Sequence, residues 1–258
     1  MPPALALGVS LAVALTAWRA HALTASGAVT AALIGFAVLW SNGWPGGAVL
    51  AMFFLPSSLI GRWAQQRFPP GASDARGERR DAVQVTANGA AAALGALLAL
   101  RAGGLGFWIL TGALAAAAAD TWATSLGAWS PRDPRHLLSG ARVPCGTSGG
   151  VSLVGTLGGV AGALLVAGTA ALLAGSPALL LAGFGIGVGG MFLDSLLGAA
   201  VQGRYRCPAC GTPSERRRHL CGAPTQLVGG WRWLDNDAVN AVATTAAGLA
   251  AGLLWFWH

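Results

Sequence analysis

Long stretches without a charged residue recur along this chain, and they constrain its fold more than any other feature. Charge-poor segments fall at residues 3–18, 23–40, 46–61, 83–100, 104–127, 151–174, 177–201 and 236–257. A membrane-spanning helix needs about 20 mostly apolar residues, and several segments approach that length. Only 10% of the 258 residues are charged, whereas a soluble globular chain carries about 25%. We therefore predict an all-α, polytopic membrane bundle of about eight transmembrane helices, forming one integral membrane domain over residues 1–258.

The arginines lie almost entirely in alternate connections between these segments. Fifteen of the sixteen follow the first, third, fifth or seventh segment, and only Arg101 lies in an even-numbered connection. Because basic residues are enriched in cytoplasmic loops, this asymmetry predicts cytoplasmic odd-numbered connections and both termini outside. Tryptophans fit two interfacial belts, an outer one of Trp40, Trp44, Trp108, Trp255 and Trp257 and an inner one of Trp18, Trp63, Trp129, Trp231 and Trp233.

The net charge of +7 is explained by this orientation signal, so we expect no nucleic-acid partner. The first segment could instead be a signal peptide ending at Ala20-His21-Ala22. It lacks a basic start, and its removal would leave seven spans. The stretch from Pro69 to Arg80 is predicted to be a polar loop.

Carboxylates and amides gather at the predicted cytoplasmic ends of four segments. Asp120 and Asp194 lie inside apolar segments, at "AAAAADTWATSLG" and "VGGMFLDSLLGAAVQ". An ionisable residue inside a membrane segment costs several kcal/mol unless paired or solvated, so each is a functional candidate. The structural alternative for both is an ion pair with an arginine. Further polar residues at the same depth are Asp81, Gln84 and Asn88 on one helix face, and Asp235, Asn236, Asp237 and Asn240 in the last segment.

Helix capping explains Asp235 or Asn236 well, because acidic and amide groups complement the positive end of a helix dipole. It explains Asn240 less well, since that residue lies about a turn further in.

A glycine-rich turn, Gly146-Thr147-Ser148-Gly149-Gly150, is predicted to lead directly into the apolar helix of the sixth segment. Such a turn at a helix N-terminus presents backbone N–H groups and a positive dipole to an anion, which favours phosphate. The Gly-Lys-Ser/Thr element of a Walker loop is absent. The alternative is a flexible turn followed by a close-packed glycine face at Gly155, Gly159 and Gly162.

The connection at about residues 202–234 holds three of the four cysteines. Cys207 and Cys210 have the C-x-x-C spacing of a zinc knuckle, and His219 and Cys221 follow as H-x-C. These four side chains predict a small structural zinc site. The alternative is a reduced loop in which the thiols have no role.

These stretches together resemble a known family, which includes the phytyl-phosphate kinase of plant chloroplasts and the animal transmembrane protein 19. The resembling pieces run in family order from about residue 79 to 240: "RRDAVQVTANG", "AAADTWATSLG", "GTSGGVSLVGTLGG", "LDSLLGAAVQ", "CPAC…HLCG" and "LDNDAVN". The resemblance implies a helical membrane protein. For the plant member it implies transfer of phosphate from a nucleoside triphosphate to a prenyl monophosphate. The wider group is similar to CTP-dependent polyprenol kinases, which makes CTP a candidate nucleotide.

We therefore expect a membrane kinase acting on a prenyl monophosphate, with its site on the cytoplasmic face of a prokaryotic cell membrane. Its partners would be a nucleoside triphosphate, the prenyl-phosphate lipid and membrane lipids. Asp120 and Asp194 would hold Mg²⁺ or position phosphates, and Asp237 would complete the catalytic set. The predicted substrate- and phosphate-binding residues are Asn88, Gly146, Thr147, Ser148, Gly149, Gly150, Asn236 and Asn240. The alternative is a transporter or flippase for a phosphorylated or cationic solute, because buried acids serve that role too.

Overall fold

The helices of this protein match the predicted segments closely. The computed structural model describes residues 1–65, 79–215 and 217–257. Its helices are α1 (Pro3–Arg19), α2 (Ala25–Gln65), α3 (Ala82–Ala102), α4 (Gly104–Gly127), α5 (Leu153–Ala174), α6 (Pro177–Ala200) and α7 (Asn236–Trp255). Within those residues, six helices are long and apolar enough to cross a membrane, and α1 is a shorter apolar helix. The predicted all-α membrane bundle is confirmed.

Helix α2 contains two of the predicted segments, joined by a sharp reversal at Gly43. Gly43 has φ +59° and ψ −150°, outside the helical range. A Cβ placed on Gly46 would lie 3.4 Å from the backbone oxygen of Val38. Residues eight apart in a straight helix are separated by about 12 Å along its axis. The two arms of α2 therefore fold back on each other, which accounts for the predicted segments 23–40 and 46–61.

Helix α4 forms the centre of the bundle, in contact with α2, α3, α5, α6 and α7. Small residues let the neighbouring backbones approach it closely, as is common in membrane bundles. A Cβ on Gly162 of α5 would lie 2.9 Å from the backbone oxygen of Ala118, and one on Gly187 of α6 would lie 2.9 Å from Ala115 Cβ. Trp108 is only 5% exposed within this core. Its predicted place in the outer aromatic belt is wrong, because α4 is surrounded by other helices.

Two connections contain short strands that the sequence did not reveal. Between α4 and α5, β1 (Arg135–His136) pairs antiparallel with β2 (Gly150–Val151). Between α6 and α7, β3 (Arg204–Arg206), β4 (Pro213–Ser214) and β5 (Gln226–Gly229) form a sheet in the order β4-β3-β5. Strands of two to four residues are too short to show a period of two. The polar loop predicted for residues 69–80 lies outside the described residues except for Arg79 and Arg80.

Both sheets belong to connections at one end of the bundle, which we call the arginine-rich end. It comprises the ends of α4 and α6, the starts of α3, α5 and α7, and the connections that join them.

Candidate functional site

A small polar cavity lies at the arginine-rich end. Its volume is about 70 Å³, and it is enclosed by the ends of α4 and α6, the starts of α5 and α7, and the segment before β2. Asp120, Asp194, Asn236 and the whole turn from Gly146 to Gly150 line it. We call this space the acid cavity. It brings together residues from positions 120 to 236 of the chain, including these candidates from the sequence.

The packing of α6 on α4 brings the two intramembrane acids to the same level. A Cβ on Gly190 would lie 2.5 Å from Ala116 Cβ, so the helices touch closely at this point. Asp194 and Asp120 follow these residues by four positions each, which is about one helical turn. Both acids are half-buried, and Asp194 Oδ2 is inaccessible to solvent. Glycine at position 190 therefore permits the close contact of α4 and α6 one turn before the two acids.

The glycine-rich turn is held in shape by its glycines. Gly146 and Gly149 have φ of +88° and +74°, a region that side chains disfavour. A Cβ on Gly149 would also lie 2.5 Å from Ala199 Cβ, so the turn packs directly on the end of α6.

The turn does not lead directly into α5, contrary to the sequence prediction. Gly150 and Val151 form β2, and the next residue, Ser152, caps the helix by accepting a hydrogen bond from the Gly155 N–H at 3.1 Å. Within the turn, the N–H groups of Thr147 and Gly150 donate to the backbone oxygens of Pro144 and Thr147. The prediction that the turn itself forms the N-terminus of a helix is therefore wrong, although it does line the cavity. The predicted glycine face of α5 is also present and packs on α4.

Glu215 contacts the turn, and sequence reasoning missed it. The Ser148 N–H donates to Glu215 Oε1 at 3.3 Å, and the Ser148 hydroxyl donates to the same oxygen. Gln202 Nε2 donates to Ser148 Oγ at 2.8 Å. A carboxylate from the cysteine-containing connection is thus bound at one of the positions predicted for phosphate. Ser148 and Glu215 are 67 residues apart, so no local pattern could have paired them.

Three other predicted site residues lie away from the lining of the acid cavity. Asp237 and Asn240 are half-buried on the first two turns of α7, next to Asn236 but not on the cavity wall. Asn88 lines a different cavity, between α1, α2 and α3. The capping alternative holds for Asp235, which accepts a hydrogen bond from the Ala238 N–H at 3.0 Å. Asp81, at the start of α3, forms a capping box with Gln84.

The predicted zinc ligands converge. The ligand atoms of Cys207, Cys210, His219 and Cys221 all lie within 4.8 Å of one another. The sulfurs of Cys207 and Cys221 are 3.6 Å apart, and His219 Nδ1 is 3.2 Å from Cys221 Sγ. Tetrahedral zinc with Zn–S bonds of about 2.3 Å places sulfurs about 3.8 Å apart. The donor set and its spacing therefore fit a zinc ion.

The surroundings of this cluster suit metal binding. Thr212 Oγ1 lies 3.2 Å from His219 Nε2, the ring nitrogen remote from the cysteines, and such an outer contact orients a histidine ligand. The hydrogen bond with His219 lowers the pKa of Cys221 to about 6. The hydrogen bond with Cys221, followed by burial, raises the pKa of Cys210 to about 11. Since thiolate is the form that binds metal, Cys221 is more ready than Cys210 to do so at neutral pH.

Comparison with known proteins assigns the chain to a family. The family model described as integral membrane protein DUF92 matches residues 8–248. The chain belongs to the DUF92 family.

Relatives of this DUF92 protein come from archaea, plants and cyanobacteria. An uncharacterized membrane protein of Methanocaldococcus jannaschii is 29% identical over 246 residues, covering 94% of this chain and 90% of the relative. Protein PGR of Arabidopsis thaliana is 26% identical over 269 residues, covering 91% and 90%. An uncharacterized membrane protein of Synechocystis sp. is 26% identical over 226 residues, covering 84% and 77%. No solved structure matches the chain significantly.

Proposed function

We propose that this DUF92 protein is a membrane-embedded kinase that transfers phosphate from a nucleoside triphosphate, CTP or ATP, to a prenyl monophosphate. One observation carries the proposal: carboxylates from two neighbouring transmembrane helices, Asp120 and Asp194, share a small polar cavity with a glycine-rich turn. The resemblance of the motifs to the phytyl-phosphate kinase group supports the same activity. Under this proposal the arginine-rich end faces the cytoplasm of a prokaryotic cell, where nucleotide is available.

The proposed reaction needs positioning and charge stabilisation rather than a covalent intermediate. An oxygen of the lipid phosphate attacks the terminal phosphorus of the nucleotide. The bond from that phosphorus to its bridging oxygen breaks, and a nucleoside diphosphate leaves. Asp120 and Asp194 offer oxygen ligands of the kind that Mg²⁺ prefers, and bound Mg²⁺ would supply positive charge to the phosphates. The glycine-rich turn lines the same cavity and would help to orient the phosphates there.

The size of the acid cavity limits what it can hold. A volume of about 70 Å³ suits an ion and a few waters or part of a phosphate chain, because one water needs at least about 10–15 Å³ of such cavity volume. The base and sugar of a nucleotide would lie outside it, next to the connections that carry β1 and β3. Arg132, Arg135 and Arg142 in the first of these connections are exposed and provide positive charge there.

The interior of the bundle favours an enzyme over a transporter. The part of α4 between Asp120 and the opposite end of the bundle contains a continuous buried segment, from Leu110 to Ala119. Except for Thr111, which donates to the Phe107 backbone oxygen, its residues are apolar. A transport path along α4 would have to cross this packed region, whereas the acid cavity lies at one end only.

The test uses purified protein in lipid nanodiscs with a panel of prenyl monophosphates, Mg²⁺ and nucleotide labelled in its terminal phosphate. We expect label to appear in a lipid diphosphate, with one chain length preferred. The same protein in liposomes is assayed for exchange of phosphorylated solutes across the membrane. Exchange without phosphate transfer to any lipid would refute the kinase and favour the transporter.

A further inference from the structure

A second cavity lies on the other side of the molecule from the acid cavity. It has a volume of about 450 Å³ and is lined by α1, both arms of α2 and the first half of α3. It shares no lining residue with the acid cavity. Its walls are almost entirely apolar, and Leu39, Leu50, Phe53 and Phe54 of α2 are among their large side chains. We call it the apolar cavity.

Small residues hold its walls in place at two contacts. A Cβ on Gly35 would lie 3.2 Å from Ser10 Cβ, which fixes α1 against the first arm of α2. A Cβ on Gly89 would lie 2.8 Å from Ile34 Cδ1, which fixes α3 against the same arm. The reversal at Gly43 brings the second arm across the remaining side. Trp44 and Leu55 line this space and are 61% and 53% exposed, so it opens at the surface of the bundle and is accessible to a membrane lipid.

Polar groups line the apolar cavity mainly at one end. Arg80, Gln84 and Asn88 follow one another at intervals of four residues and all line it, at the arginine-rich end. The backbone of Arg80 is fixed to the start of α2, since its N–H donates to the Ala22 oxygen and its oxygen accepts the Thr24 N–H. Its guanidinium carbon lies 6.0 Å from the centre of the Phe53 ring. A positive charge is thus held at the mouth of an apolar space by backbone and aromatic contacts.

We propose that the apolar cavity binds the hydrocarbon chain of an anionic membrane lipid, with the lipid headgroup next to Arg80. A volume of 450 Å³ lies within the range of about 300–1,000 Å³ typical of ligand sites. The cation at the mouth selects a negative headgroup, and the amides of Gln84 and Asn88 add neutral polar contacts. This site is independent of the proposed kinase activity, because it contains neither acid of the acid cavity.

The experiment is photolabelling of the purified full-length protein in nanodiscs of zwitterionic lipid. The probe is lysophosphatidic acid with a diazirine in its acyl chain, and a monoacylglycerol with the same chain is the uncharged comparison. We expect saturable labelling by the anionic probe on α2 and the first half of α3, mapped by mass spectrometry. Labelling spread evenly over the lipid-facing helices, with no saturable component at these residues, would overturn the proposal.

Two pairs of variants test separately how the site binds the hydrocarbon chain of the lipid and how it binds the headgroup. Ala51→Phe places a ring in the cavity, whereas Ala12→Phe places one on the exposed side of α1. We expect the first to abolish the saturable labelling and the second to preserve it. Arg80→Gln should weaken binding of the anionic probe about tenfold, as expected for loss of a charge-assisted contact, and leave the uncharged probe unchanged. Arg101→Gln at the exposed opposite end of α3 should change neither.

All variants are compared at matched thermal stability and monodispersity. Full labelling in a stable Ala51→Phe variant, or unchanged anionic affinity in a stable Arg80→Gln variant, would contradict the proposed site. If Ala51→Phe does not fold, competition of the wild-type labelling by unlabelled lysophosphatidic acid decides the matter, and absence of competition rejects the site. None of these measurements depends on phosphate transfer, so this proposal and the kinase proposal succeed or fail separately.

Discussion

At the scale of single residues, Asp120 is the most informative position in the chain. If it helps to hold catalytic Mg²⁺ or the phosphates, Asp120→Asn removes the charge while keeping the shape. We expect a loss of phosphate transfer on the order of a thousandfold, since several kcal/mol of transition-state stabilisation would be lost. Folding should persist, because a neutral amide is easier to bury than a carboxylate. The measurement is kinase activity with titrated Mg²⁺ beside thermal stability in detergent.

Asp235→Asn is the matched control for this change, because Asp235 is exposed and caps α7 outside the acid cavity. Asp194→Asn should reduce phosphate transfer as Asp120→Asn does. If both acids bind one ion, the loss in the double variant should be much smaller than the sum of the two single losses in free energy. Near-normal transfer in Asp120→Asn would remove this residue from the site. Loss of transfer together with loss of folding would favour a structural ion pair.

Residues differ in how far the sequence could predict their roles. Asp120 and Asp194 could be found because a carboxylate inside an apolar segment is costly and therefore conspicuous. Asn88 was assigned to the same site from its depth alone, but depth does not say which side of α3 faces which neighbour. Glu215 could not be found, because it lies in a polar connection and reaches Ser148 only through the tertiary fold. Sequence patterns thus predict the depth of a residue in the membrane better than they predict which residues it contacts.

At the scale of helices, glycine positions decide how closely the helices pack. Gly190 and Gly189 are adjacent on α6 and differ in surroundings: a Cβ on Gly190 would lie 2.5 Å from Ala116 Cβ, and one on Gly189 would meet nothing within 4 Å. We expect Gly190→Ala to lower the free energy of unfolding by about 1–3 kcal/mol, because the added methyl group overpacks the contact. It should also reduce phosphate transfer by displacing Asp194. Gly189→Ala should be neutral or slightly stabilising, since alanine is the better helix former. Equal behaviour of the two variants would contradict the close α4–α6 contact.

The connection that carries β3 to β5 provides a prediction for metal binding. We expect purified protein to contain about one zinc per chain, held by Cys207, Cys210, His219 and Cys221. Cys207→Ser should release it, because Cys207 is fully buried within the cluster. Cys145→Ser is the matched control, since this cysteine lies outside the cluster and should leave the zinc content unchanged. Zinc is measured by elemental analysis after purification under reducing conditions without chelator, and a metal-free wild type would contradict the assignment.

This zinc site also shows what spacing alone can establish. The C-x-x-C and H-x-C pairs were predicted to meet, and their ligand atoms do converge. The small sheet around them was missed because its strands are two to four residues long. The contact of Glu215 with Ser148, which joins this sheet to the acid cavity, could not be predicted because the two residues are 67 positions apart.

At the scale of the whole molecule, the alternation of arginine-rich and arginine-poor connections predicts its orientation. The structure gathers Asp120, Asp194, Asn236 and the four cysteines at the arginine-rich end, which should be cytoplasmic by the positive-inside rule. We expect a membrane-impermeant maleimide to label Ser176→Cys, at the start of α6, in intact cells. It should label Ser214→Cys, in β4, only after the membrane is permeabilised.

Wild-type protein gives the background for this labelling, because all four of its cysteines lie at the arginine-rich end. Its labelling in intact cells should therefore be low. Preferential labelling of Ser214→Cys in intact cells would place the acid cavity on the side away from cytoplasmic nucleotide. That result would argue against the kinase even if every local contact in the site were correct, because the proposed reaction depends on which compartment supplies the phosphate donor.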